Sequence, residues 1–271
     1  MEAADPRATD VEALLAPLRR DPESSAVFCD IDGTLAPIVE RASDAAVPAE
    51  ARSVLRALAQ RYAMVGCLSG RAAVDARRLV GVEELTYIGN HGFERLLPGE
   101  AESELDPALA GNERVASEFI ARLDADELAR LGLRTEDKGP IQALHWRGAA
   151  DEEGAEAHAR EIGTDAASRD LVPHWGRKVL EIRPGVHLNK GTALAELLAE
   201  RRMSKALYGG DDRTDVDAFR RLRDLRAAGE LELAVCIGIA SEEGPPEVGE
   251  ESDLLVDGPE GFFDVLRLLA A

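Results

Sequence analysis

The run SSAVFCDIDGTL sets two aspartates, Asp30 and Asp32, one residue apart at the end of an apolar stretch and just ahead of Gly33 and Thr34. In an extended segment, residues two apart point the same way, so both carboxylates face one site while Ile31 turns into the core. Carboxylates that close repel each other unless a cation or a shared proton intervenes. A hard divalent ion with oxygen ligands, such as Mg2+, meets that need. One carboxylate can then serve as a nucleophile and the other as an acid and base. Gly33 lets the backbone turn sharply behind the pair. A solvated Asx turn closing a strand uses the same residue types, and an isolated Asp-x-Asp fits it as well. The apolar run before the pair and the Gly-Thr-Leu after it favour the reactive reading.

Three later segments carry related chemistry. Ser69-Gly70-Arg71 follows the apolar run YAMVGCL and precedes a helix. A hydroxyl and unpaired N–H groups at a helix start suit a phosphate, although a serine there is also an ordinary cap. Asn189-Lys190-Gly191 opens another helix, where a lysine can neutralise phosphate charge or simply sit on the surface. Gly209-Gly210-Asp211-Asp212-Arg213-Thr214-Asp215 follows a short strand and offers carboxylates to a metal, though a lone Gly-Asp-Asp is more often a loop.

The elements that must position these residues alternate. Residues 11–20 and 48–61 predict helices, Tyr62 to Leu68 a buried strand, the segment to about Leu79 a helix, and Thr86 to Ile88 a strand. Strand alternating with helix implies a parallel sheet with right-handed crossovers, whose carboxyl edge is where such folds bind ligands. Residues 106–131, rich in Ala, Glu and Leu, predict one long helix. Leu133 to Glu136, Ile141 to Trp146, Leu171 to His174 and Val179 to Ile182 predict short strands, with a helix over 151–167. Strand next to strand suggests an antiparallel α+β unit, closed by Pro184-Gly185. The alternation resumes with helix 190–202, strand 205–209, helix 214–227, strand 233–239 and a helix after Pro259. The expected architecture is α/β: a catalytic core with a parallel sheet over 1–105 and 184–271, and an inserted α+β cap over 106–183. Residues 229–260 hold ten acidic residues and no Lys or Arg, and read as a solvated acidic face and loop.

Composition narrows the partners. The chain has 271 residues, 45% hydrophobic and 31% charged, an ordinary globular balance. Thirty-two basic against 52 acidic residues leave a formal charge of −20, which disfavours nucleic acid and anionic membrane surfaces but not a small anionic substrate in a cation-lined pocket. No apolar run approaches the roughly 18 residues of a membrane span. The acidic start, broken by Pro6, does not read as a secretory signal. Cys29, Cys67 and Cys236 sit in apolar runs and read as reduced thiols of a cytoplasmic protein, with no zinc-like spacing.

Taken in order, the four segments resemble the haloacid dehalogenase-like (HAD) superfamily of aspartyl-phosphate enzymes, which implies a HAD-like Rossmannoid core. DIDGTLAPI, SGR, GNHG (Gly89 to Gly92), Glu136-Asp137-Lys138 followed by His145-Trp146-Arg147, Lys178 to Pro184, NKG and GDDRTDVDAF together resemble the trehalose-6-phosphate phosphatase family from about Val27 to the C-terminus. The resemblance implies a Mg2+-dependent phosphatase that splits trehalose 6-phosphate through an aspartyl phosphate, in trehalose biosynthesis. It implies Asp30 as nucleophile, Asp32 as acid and base, and Ser69, Gly70 and Lys190 as phosphate ligands. It further implies Asp30, the carbonyl of Asp32 and Asp211 as metal ligands, with Asp212 and Asp215 behind them. Glu136, Lys138 and Glu181 are the implied grip on sugar hydroxyls; alternation sets the first two on one face, where an exposed ion pair is the plainer structural use. Arg147 is a further substrate contact in that reading, and His91 either touches sugar or caps a turn. Ile31 stands where the family usually has an aromatic residue, and Val216 where an acidic one is frequent. Related caps serve sucrose phosphate, mannosyl-3-phosphoglycerate and glucosyl-3-phosphoglycerate. A silent regulatory partner of a trehalose-phosphate synthase would be expected to lack a catalytic aspartate, and Asp30, Asp32 and Asp211 all stand; a functional link to such a synthase is implied.

Overall fold

The computed structural model describes residues 11–39, 44–241 and 244–271. The acidic start, residues 1–10, lies outside the described residues. The chain forms two compact units, one of Leu105–His187 and one of the residues on either side. The expected cap was 106–183.

In chain order, the first stretch runs through α1 (Val11–Arg20), β1 (Ser25–Cys29), α2 (Ala49–Arg61), β2 (Met64–Leu68), α3 (Ala73–Val80), β3 (Thr86–Gly89), β4 (Glu94–Leu96) and β5 (Glu104–Leu105). The second unit holds α4 (Val115–Ile120), α5 (Ala125–Leu131), β6 (Arg134–Lys138), β7 (Ile141–His145), α6 (Glu152–Ala167), β8 (Leu171–Gly176) and β9 (Val179–Pro184). The chain then returns through α7 (Lys190–Glu200), β10 (Lys205–Gly210), α8 (Arg213–Ala227), β11 (Leu233–Ala240), α9 (Pro246–Glu250), β12 (Leu254–Asp257) and α10 (Gly258–Ala270).

The first unit is doubly wound. Its sheet runs β12-β11-β10-β1-β2-β3-β4-β5, parallel from β12 to β3, with β4 antiparallel to β3. Both faces are covered, which is why β1 and β2 are continuous apolar runs rather than alternating ones. Val27, Val65, Leu207 and Val235 meet Leu15, Leu18, Leu55, Leu58 and Leu266 on one side. Phe28, Tyr208 and Cys236 meet Leu194, Leu198, Phe219 and Leu222 on the other. The three cysteines are free and buried. Among the described residues, no helix is long and apolar enough to cross a membrane. Among its described residues, the stretch 229–260 is more structured than a loop: Glu247 and Glu250 lie in α9, and Asp257 ends β12. Acidity concealed the strand β12 and the helix α9, which buries Val248 in the apolar cluster with Phe219 and Cys236.

The second unit has a four-stranded antiparallel sheet, β6-β7-β9-β8. One face buries Leu144, Leu180 and Ile182 against Phe119, Leu128, Ala159 and Ile162 of the helices. On the other face, register sets Glu136, Ala143, Glu181 and His174 in one row across all four strands. The single helix expected over 106–131 is wrong. The segment holds a 3-10 turn at Pro107–Leu109 and two helices, α4 and α5. Gly111 takes a positive φ, and the Asp124 carboxylate accepts from the amides of Asp126 and Glu127, starting a new helix where composition alone favoured continuation.

Candidate active site

From β1 the chain steps outward to β2 and β3 on one side, and from β10 to β11 and β12 on the other. The carboxyl ends of β1 and β10 therefore flank the point where the winding reverses, the crevice in which such sheets bind ligands. Asp30 leaves β1 with its amide bonded to the Gly209 carbonyl at 2.9 Å, and Asp211 leaves β10 beside it. Ile31 then turns into the core, and its carbonyl accepts from Leu35 and Ala36 at 2.9 and 2.8 Å, closing a tight loop. Gly33, at φ +95°, is required there: a Cβ would stand 2.1 Å from Asp211 Oδ2.

Around these ends lies a buried charge cluster. Lys190, first residue of α7 and 1% exposed, donates from Nζ to Asp30 Oδ1 at 2.8 Å and to Asp215 Oδ1 at 2.7 Å. Its backbone is fixed by a capping box between Asn189 and Thr192. A second box, between Asp212 and Asp215, starts α8. Asp215 also accepts from Tyr208 Oη at 2.6 Å and from the amides of Asp211 and Asp212 at 3.0 Å each. Thr34 Oγ1 donates to Asp211 Oδ1 at 3.2 Å.

Burial raises the Asp30 carboxyl well above the ordinary range; Lys190 opposes that rise, while Asp215, Asp211 and Asp212 add to it. Burial and the neighbouring aspartates push Asp211 up to about 7. Burial, opposed by Lys190, leaves Asp215 at about 6. Asp212 goes the other way: Lys190 and hydrogen bonds from Thr214 and Asp215 overcome its burial and hold it low.

Carboxylate oxygens of Asp30, Asp211 and Asp215 lie within 4.8 Å of one another. Both Asp215 oxygens already accept two hydrogen bonds each, so Asp30 and Asp211 are the pair with capacity for a metal. An all-oxygen, negatively charged donor set fits a hard cation.

Asp32 does not join this group. Its carboxylate takes a two-point contact from Arg71, Nε to Oδ2 and Nη2 to Oδ1, both at 2.7 Å. Arg71 ends the Ser69-Gly70-Arg71 loop. Ser69 is 1% exposed, donates its amide to the Ile88 carbonyl at 2.9 Å, and accepts the Arg71 amide on Oγ at 3.2 Å. The Asn90-His91-Gly92 turn is laced onto the same loop: the His91 amide donates to the Ser69 carbonyl and the Asn90 amide to that of Arg71. A Cβ on Gly70 would come 2.6 Å from His91 Nε2, so that glycine admits the imidazole.

In the second unit, Lys138 Nζ donates to Glu181 Oε1 at 2.7 Å, and Arg183 donates to Glu181 Oε2 through Nη2 at 2.6 Å and Nε at 3.1 Å. Glu136 Oε2 meets His145 Nε2 at 2.7 Å, a contact that draws the Glu136 carboxyl below its usual range. Glu136, Lys138 and Glu181 thus share one face of the sheet. Arg147 lies beyond β7 in an exposed turn. Arg71, Thr34, Tyr208 and Arg183 join the predicted residues in these contacts. Arg71 stood inside a quoted motif, and Arg183 two residues from Glu181, so alternation could have found it. Nothing in the spacing marks Tyr208, a strand residue in an apolar run.

A family model described as Trehalose-phosphatase matches residues 28–249. A Mycobacterium tuberculosis protein described as an uncharacterized glycosyl hydrolase is 38% identical over 210 residues, 73% of this chain. The match spans only 15% of that relative's length. A Zea mays protein named trehalose 6-phosphate phosphatase RA3 is 32% identical over 260 residues, 90% of this chain and 69% of its own. Among solved structures, the C-terminal domain of a C. albicans trehalose-6-phosphate phosphatase aligns with TM-score 0.77 and 20% identity over 97% of both chains. A haloacid dehalogenase-like hydrolase from Bacteroides thetaiotaomicron aligns with TM-score 0.60 and 13% identity, covering 90% of this chain and 98% of that one. At such identities these two likenesses are of fold alone.

Proposed function

For a chain that belongs to the trehalose-phosphatase family, we propose hydrolysis of trehalose 6-phosphate to trehalose and phosphate. The observation that carries this reading is the cluster of four aspartates around a single buried ammonium at the sheet's switch point. A phosphoryl group needs little from a protein beyond positioning and charge neutralisation.

In the proposed reaction an Asp30 oxygen bonds to phosphorus while the bond from phosphorus to the sugar oxygen breaks. The departing oxygen takes a proton from Asp32. Water then gives a proton to Asp32 as its oxygen bonds to phosphorus, and the Asp30–phosphorus bond breaks to release phosphate. Lys190, Ser69 and the Gly70 amide are the proposed holders of phosphoryl oxygens. Asp30, Asp211 and the Asp32 carbonyl would hold Mg2+, backed by Asp212 and Asp215, and the ion would neutralise charge on the phosphoryl group. Glu136, Lys138 and Glu181 take the sugar hydroxyls, with carboxylates accepting and the ammonium donating. His91 and Arg147 remain further substrate contacts in this reading. A trehalose-phosphate synthase is the enzyme class that supplies such a substrate, and three buried thiols suit a reducing compartment such as the cytoplasm.

The test is phosphate release with Mg2+ across trehalose, sucrose and glucose phosphates and the glycosyl phosphoglycerates. Trehalose 6-phosphate should be the best substrate, and Asp30→Asn should release nothing. Release from the others but none from trehalose 6-phosphate overturns the substrate; release from none overturns the enzyme.

A further inference from the structure

The reaction above requires Asp32 to meet the leaving oxygen, yet a carboxylate with a side chain 38% exposed has freedom to swing. Asp30, two residues earlier, has no such freedom; its side chain is 7% exposed and Lys190 pins it. What limits Asp32 is Arg71. The planar guanidinium meets both carboxylate oxygens at 2.7 Å, fixing the plane of the carboxylate as well as its distance. Arg71 is itself well anchored. Its amide donates to Ser69 Oγ and its carbonyl accepts the Asn90 amide, so the fork stands on a loop tied to two strand ends.

We propose that Arg71 is the positioning residue for Asp32, holding its carboxylate where the proton of the leaving oxygen must be supplied, rather than a ligand of the phosphoryl group. This rests on the phosphatase reading and adds to it a residue that acts only through Asp32. The guanidinium edge formed by Nε and Nη2 is already spent on Asp32. Each Asp32 oxygen keeps a second lone-pair position outside the fork, where the acid form carries the proton that passes to the leaving oxygen. A single ammonium could not hold the carboxylate plane, so lysine is a poor substitute here.

The experiment compares kcat/KM, which reports the steps up to leaving-group departure, for two substrates. The trehalose oxygen needs a proton to leave, whereas the p-nitrophenolate of p-nitrophenyl phosphate does not. Arg71→Met should lower kcat/KM for trehalose 6-phosphate about 100-fold, within the range of general acid catalysis, and that for p-nitrophenyl phosphate by less than about threefold. Arg71→Lys should fall between parent and Arg71→Met. In an Asp32→Asn background, Arg71→Met should add nothing, because both changes remove one function. Equal losses on the two substrates would make Arg71 a phosphate ligand and overturn the proposal. Losses that add to those of Asp32→Asn, or no loss at all, overturn it too. Should Arg71→Met fail to fold, Arg71→Gln and Arg71→Lys carry the same comparison. If the parent ignores trehalose 6-phosphate, the substrate reading fails by itself, and the leaving-group comparison proceeds on whichever sugar phosphate it does hydrolyse.

Discussion

In the first unit Asp30, Asp211, Asp212 and Asp215 share one ammonium, Lys190, whereas in the second Glu181 takes Lys138 on one oxygen and Arg183 on the other. Both groups are buried and both are tied by short contacts. They differ in balance. The first holds more negative charge than its own residues can neutralise, and three of its carboxyls are pushed upward. Burial makes that excess expensive, and a hard cation is the natural remedy. The second group holds two cations for its one carboxylate, so it has no need of a metal ion. It can offer hydrogen bonds to an uncharged polar ligand without a change in its own charge, which is what a sugar requires. Charge balance, more than residue type, separates a site built for a metal from one built for hydroxyls.

The largest test of that contrast is Glu181→Gln. The amide cannot neutralise Lys138 and Arg183, and its own NH2 group would face one of these donors. Side chains here are only 9% exposed for Glu181 and Arg183 and 14% for Lys138. Breaking a buried pair this way costs about 3 kcal/mol or more, to be read by chemical denaturation. A loss below about 1 kcal/mol would mean that the pair is no better than a surface one.

Asp211→Asn should act in the opposite direction. The folded, metal-free protein binds protons at Asp211 and Asp215 more tightly than the unfolded chain does, because both are raised, to about 7 and about 6. The stability they carry is therefore complete near pH 4 and drains away as pH rises through 6 to 7. Asp212, held low, has the reverse sign but acts only in acid. In EDTA the parent should thus be less stable at pH 8 than at pH 5, and Mg2+ should narrow the gap. Asparagine removes the repulsion and its amide oxygen still accepts from Thr34, so at pH 8 without metal the variant should gain about 2 kcal/mol. With Mg2+ the parent should be the more stable. A variant that loses stability without metal would show that the carboxylates are not crowded after all.

Much of this is legible in the sequence. Strand runs such as SAVFC and MVGCL are apolar on both faces because helices cover both, and the DIDGT and SGR loops follow them directly. Alternation correctly paired Glu136 with Lys138 on one face. The prediction went astray where composition stood in for local chemistry. Over 106–131 Ala, Glu and Leu outweighed Gly111 and the capping Asp124, and beyond β11 acidity hid α9 and β12. The partners of the site residues were the least legible part. That Asp32 meets Arg71 and that Asp215 meets Lys190 depends on contacts across 39 and 25 positions, which no local spacing encodes.

The smallest expected effect lies at the edge of the second cluster. Glu136 and His145 meet at 2.7 Å on the same sheet face as Glu181, but their side chains are 53% and 32% exposed. Water competes for both groups, so the contact should stabilise by under about 1 kcal/mol even though its length equals that of the Lys138–Glu181 pair. His145→Gln keeps a donor within reach of Glu136 and should shift the denaturation midpoint hardly at all. Its visible effect should be on substrate binding: without the imidazole, Glu136 is less firmly oriented toward a hydroxyl, and KM should rise by about twofold with kcat unchanged, the signature of an interaction equal in ground and transition states. Should His145→Gln cost as much stability as Glu181→Gln, burial would not be what distinguishes the two pairs, and the balance of charge within this sheet would have to be drawn over all five side chains together.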